Sequence, residues 1–150
     1  MMPLERLSLE AMLTESERAV VSCDPEKADL GLRYAELAIG FLRTTEARDI
    51  EQARSMVGPG FSATFPRGRY FPSLDTWLES SKSTYVWIAK RFERIDVSIT
   101  GTDSAIVHCS GTLHGERLDA KPLDGFRFID RFVIREGRIV DQLVWNDLVP

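Results

Sequence analysis

Apolar side chains recur at helical intervals through the first half of the chain and at every second position through the last third, which predicts helices first and strands afterwards. Leu30, Tyr34, Leu37, Ala38, Phe41 and Leu42 share one face of a helix over about 25–46. Asp24-Pro25 suits its start, because the carboxylate accepts from free amides and proline tolerates the first turn. Asp49, with Gln52 three residues on, opens a second, shorter helix that Gly58-Pro59-Gly60 closes. Ser73 caps a third, on which Leu74, Trp77, Leu78, Ser81, Tyr85 and Ile88 keep helical spacing to about residue 90. Leu9, Met12 and Leu13, with Thr14 and Glu17 at capping-box spacing, give residues 1–23 a helical pattern as well.

Strands follow. Phe61–Phe65 is a short one ended by Pro66, with a loop over 66–69, and longer runs lie near 92–100 and 104–114. A turn-rich segment from Gly115 to Gly125 leads to the closing hairpin, two strand-like runs joined at Glu136-Gly137. The whole reads as an α+β domain over 25–150, a curved antiparallel sheet wrapped around helices with room for an internal pocket. Residues 1–24 form a helical extension that packs on the body or on a second subunit.

Composition narrows the function. With 150 residues, 43% of them apolar, the chain is sized for one core. A net charge of -4 and scattered arginines offer no basic stripe to a nucleic acid backbone. No apolar run approaches the roughly 20 residues of a membrane-crossing helix, and the close charge alternation at the start is unlike a secretory signal, so a cytoplasmic location is expected. Cys23 and Cys109 show no ligand or redox spacing and read as ordinary thiols, Cys109 as a small buried hydrophobe.

One carboxylate stands out. In the run Phe126 to Arg135, Asp130 shares strand parity with Phe126, Phe128, Phe132 and Ile134, while Arg127, Arg131 and Arg135 point the other way. An acid walled in by phenyl rings either gains a raised pKa or meets a specific donor, and such acids are frequent in binding and active sites. The plainer reading is a structural acid tied to an arginine or a backbone amide.

The order of elements, the helix Tyr34 to Leu42, Phe61-x-x-x-Phe65-Pro66 and the ending GFRFIDRFVIREGRIVDQLVWNDL resemble the nuclear transport factor 2-like superfamily, and within it the SnoaL-like proteins. The resemblance covers about residues 28–148 and implies a cone-shaped fold with a pocket. Laid against ketosteroid isomerases, Ile129-Asp130-Arg131-Phe132 puts the oxyanion-hole acid on Asp130. That family's tyrosine falls on Phe41 and its general base on Phe65, neither able to transfer a proton. The His-Trp-Asp triple frequent in SnoaL-like cyclases falls on Gln142, Leu143 and Val144. By the same comparison Gln142, Val144 and Asn146 face inward, and Asp141, Leu143, Trp145 and Asp147 outward.

These observations set the expectations. The leading one is a pocket for a small apolar cyclic ligand, with Asp130 polarising a carbonyl, His108 or Tyr85 moving protons, and Phe41, Phe65, Trp87, Phe128, Phe132, Gln142, Val144 and Asn146 around it. The chemistry would be cyclisation, isomerisation or dehydration next to a carbonyl, with no cofactor and no metal. The alternative is a non-catalytic binding or assembly protein of the same fold. A homodimer through the outer sheet face, carried by Trp145, is expected in either case.

Overall fold

The computed structural model describes residues 9–14, 17, 19–82 and 84–148. Helix α1 is Leu9–Met12, followed by strand β1 at Val20–Ser22. After a 3-10 turn at Pro25–Lys27, whose Asp24 side chain accepts from the Glu26 amide, comes the long helix α2, Ala28–Glu46. Asp49 accepts from the Gln52 amide and starts α3, Ile50–Met56. Strand β2 is Val57–Phe65, β3 is Arg69–Phe71, α4 is Leu74–Lys82, and β4 to β7 are Tyr85–Gly101, Ser104–Arg117, Pro122–Arg135 and Arg138–Asn146. Among the described residues these make one seven-stranded sheet in the order β1-β4-β5-β6-β7-β2-β3.

The α+β class and the curved, unclosed sheet are as expected, with two differences in pairing. β2 runs parallel to β7, and β1 parallel to β4, at opposite ends of an otherwise antiparallel sheet. Several boundaries also move. Residues 20–22 are strand, not helix, and the expected helix over 1–8 lies outside the described residues. Gly58-Pro59-Gly60 does not close α3 in a loop but sits inside β2, where positive-φ Gly60 accompanies a register shift against β7. The third helix stops at Lys82, because Tyr85, Val86, Trp87 and Ile88 are aromatic and β-branched and find a full pairing partner in β5. The turn after β5 is shorter than expected, since strand runs to Arg117 and resumes at Pro122.

The buried stripe of α2, including Tyr34, Ala38, Phe41 and Leu42, fills the hollow of the sheet. Phe41 makes edge-to-face contacts with Phe61 and Phe132, both at 5.9 Å between centroids. β4 bulges between Phe92 and Arg94, facing Gly111 on β5, and this bends the sheet over the helices. The closing hairpin turns at Glu136 and Gly137, both with positive φ, the geometry of a type I′ turn.

Ahead of its pairing with β1, the margin of β4 is covered by acids. The Lys90 amide donates to Glu46 at 2.7 Å, and the Phe92 amide donates to Glu17. Arg43 ties the two acids together, donating to both and also to the carbonyls of Met12 and Lys90. Glu17 also accepts from Thr14, so the pair read as a capping box does make its contact.

Candidate functional site

Strand alternation decides which side chains reach the hollow. On β6 Phe128, Asp130, Phe132 and Ile134 are buried inward, and Asp130 registers with Cys109 on β5 and Val144 on β7. Asp130 is 0% exposed, and neither carboxyl oxygen closes a well-formed hydrogen bond, while the Lys90 and Gln142 side chains both act on it as weak donors. The nearest cation is Lys90, its Nζ 3.8 Å from Oδ2 and 5.3 Å from the centroid of the Phe128 ring. Burial raises the Asp130 pKa above the usual carboxyl range, and Lys90, then the nearby Gln142 amide, oppose the rise without cancelling it.

A cavity of about 80 Å³ opens against this pair. Phe65, Phe71, Trp77, Leu113, Phe128 and Val144 give it an apolar wall, with Asp130, Lys90, Tyr85 and Asn146 as polar groups. Exposed Arg69 and Thr84 stand at its rim. Phe65 stacks on Trp77, 5.5 Å between centroids, and meets Phe71 edge-on at 5.3 Å, so one side of the wall is three interlocked rings. Burial pushes the Tyr85 hydroxyl up, with Arg117 and Arg69 opposing, and keeps it a donor. Asn146 accepts from the Leu148 amide through its Oδ1.

Of the residues singled out from sequence, the structure brings Asp130, Tyr85, Phe65, Phe128, Val144 and Asn146 to the cavity. His108 is not among them: it lies on the outer parity of β5, between Asp96 and Arg131 in register, on the opposite face of the sheet from Asp130. Phe41 and Phe132 are packed in the core, away from the cavity wall. Trp87 is 46% exposed and lies nearly perpendicular to the His114 ring, 5.4 Å between centroids. Gln142 is buried near Asp130 without lining the cavity.

Lys90 was hidden by the helix expected to reach residue 90. The signal was present, since Ile88, Lys90 and Phe92 share a parity that only a strand aims inward. Among the described residues no cluster of His, Cys, Asp or Glu has the makings of a metal site. A larger groove of about 620 Å³ runs along the outer side of α2 past Met12, Leu37 and Met56, but among the described residues no buried unpartnered group points into it.

No family model and no curated protein matches the sequence. Among solved structures, the chain is similar to a candidate polyketide cyclase from Bacillus cereus, with 19% identity, a TM-score of 0.64 and 90% of each chain covered. It is also similar to a candidate dehydratase of the NTF2-like family from Streptomyces avermitilis, with 16% identity and a TM-score of 0.65 over 83% of this chain and 99% of that one. The fold is nuclear transport factor 2-like. A third similarity, to the Orange Carotenoid Protein of Anabaena (Nostoc) sp. PCC 7120 binding canthaxanthin, has 14% identity and a TM-score of 0.57, and covers 72% of this chain but only 35% of that protein. The NTF2-like fold carries many chemistries, so at these identities the architecture transfers and the reaction does not.

Proposed function

We propose that this chain binds a compact, largely apolar cyclic carbonyl compound in the cavity at Asp130 and moves a proton next to that carbonyl without a cofactor, as isomerases, cyclases and dehydratases do. One observation carries the reading: a fully buried carboxyl, held only loosely by Lys90 and Gln142, faces a cavity beside that lysine. Burial raises the proton affinity of Asp130, so its carboxylate takes up a proton readily and hands it to the ligand oxygen, and the Lys90 ammonium balances charge that develops there. The rings of Phe65, Trp77 and Phe128 suit a flat apolar ligand. Tyr85 is a further proton donor on the wall, and the free thiols of Cys23 and Cys109 suit a reducing compartment such as the cytoplasm.

The experiment is a screen of single-ring ketones and enones against the protein and its Asp130→Leu variant, reading affinity and turnover. The expected result is at least a tenfold loss of affinity, about 1.4 kcal/mol, in the variant. Equal binding by both proteins would remove Asp130 from the site.

A second reading, a non-catalytic binding or assembly protein, draws support from Phe41 and Phe65, on which the sequence resemblance puts the proton-transfer positions of ketosteroid isomerases. Ligand binding by a folded protein with no turnover across the screen favours it. Both readings include a second copy of the chain on the outer sheet face, where Ile129 and Trp145 pair across β6 and β7 at 46% and 51% exposure.

A further inference from the structure

Lys90 differs from the other lysines of the sequence. Lys27, Lys82 and Lys121 are exposed, whereas the Lys90 side chain is 16% exposed and ends at the cavity. An ion pair that served only to neutralise Asp130 would close to a charge-assisted hydrogen bond of roughly 2.7–2.9 Å. Here the ammonium stays 3.8 Å away, over the face of Phe128, and the carboxyl closes no short hydrogen bond with it or with Gln142. Both groups line the cavity.

We propose that Lys90 is a nucleophile whose amine condenses with an aldehyde or ketone in the cavity to form a Schiff base, with Asp130 relaying the protons. The proposal rests on the carbonyl-binding reading above and names the bond by which the ligand is held. In the first step the ammonium passes one proton to the Asp130 carboxylate, an acceptor whose affinity for protons burial has increased. The amine nitrogen then attacks the carbonyl carbon, the C–N bond forms, and the carbonyl π pair moves to oxygen, which takes up the proton that nitrogen sheds. Asp130 returns its proton to that hydroxyl, the C–O bond breaks, water leaves, and the nitrogen lone pair completes a protonated C=N bond. The sum is ammonium plus carbonyl giving iminium plus water, with nothing oxidised or reduced. The iminium draws electrons from the adjacent carbon and so acidifies its C–H, which is the proton transfer proposed for this site.

The test incubates the full-length protein with cyclopentanone and sodium cyanoborohydride, whose hydride fixes an imine as a secondary amine, and locates the adduct by peptide mass mapping. The expected result is labelling of Lys90 at least tenfold faster than of Lys27, Lys82 or Lys121. Labelling at that position disappears in Lys90→Arg and slows at least tenfold in Asp130→Asn. Lys90 labelled no faster than the three exposed lysines overturns the proposal, and the unaltered protein decides this whether or not a variant folds. Amide and indole NMR shifts of Trp77 and Asn146 with the ketone alone separate the two claims. Shifts without an adduct at Lys90 sink the Schiff base and keep the cavity, whereas neither shifts nor adduct sinks both.

Discussion

Gly111 meets Arg91 backbone to backbone: a Cβ on the glycine would overlap the Arg91 carbonyl oxygen. The contact seats the bulge of β4 against β5, and it lies on the inner face between Leu113, the partner of Lys90, and Cys109, the partner of Asp130. Gly111→Ala must therefore shift main chain, not a pliable side chain. A cost of about 3 kcal/mol is expected, at the upper end for overpacking, and urea unfolding measures it.

Asp130 gives stability a definite pH dependence. Its folded pKa lies above the unfolded value of about 3.9, so between the two the folded state binds more protons. The stability tied to this group is complete below the unfolded value and is lost as pH rises through the raised one. Asp130→Asn has no such loss. Unfolding midpoints taken from about pH 4 upward should move in favour of the variant until the acid has ionised. A difference that does not change with pH would mean an ordinary carboxyl.

Glu17 works in the opposite sense. Burial pushes its pKa up, but hydrogen bonds from the Thr14 and Phe92 amides and the charge of Arg43 outweigh that and leave it lowered. Its contribution is present above the ordinary carboxyl range and disappears as pH falls through the lowered value. Arg43→Met leaves Glu17 buried without its cation, and removing one partner of such a pair costs roughly 3–5 kcal/mol near neutral pH. Denaturant titration checks the size, and hydrogen exchange at the Phe92 amide checks the place.

On the outer face, Trp145→Glu sets a charge opposite Ile129 in the exposed apolar pair. If that face joins two copies, the variant runs as a monomer in light scattering while its circular dichroism is unchanged. Two proteins of the same mass in solution would remove the outer face as the contact.

The sheet was legible in the sequence where strands are long. From Phe126 to Arg135 β6 alternates cleanly, which is enough to put Asp130 inward before any coordinates. Adjacent residues on a strand face opposite ways, so once Cys109 is read as buried, His108 must point out. β1 and β3 have three residues each, too few to show a period. The parallel pairing of β2 with β7 joins Ser62 to Asp141, and no local pattern announces a partner that far along the chain. Lys90 was lost because Trp77, Leu78, Ser81, Tyr85 and Ile88 keep a helical beat across the end of α4, and tertiary pairing with β5 overrode it. The volume of the cavity follows from how Phe65, Phe71 and Trp77 interlock, a matter of packing that spacing alone does not encode.

The two acids on the margin of β4 have one more effect. Glu46 and Glu17 occupy main-chain donors that an extended segment of any other molecule would seek, so the rim of the sheet is chemically sealed along Lys90 to Phe92. Taking away both side chains would reopen those donors to a strand of another molecule.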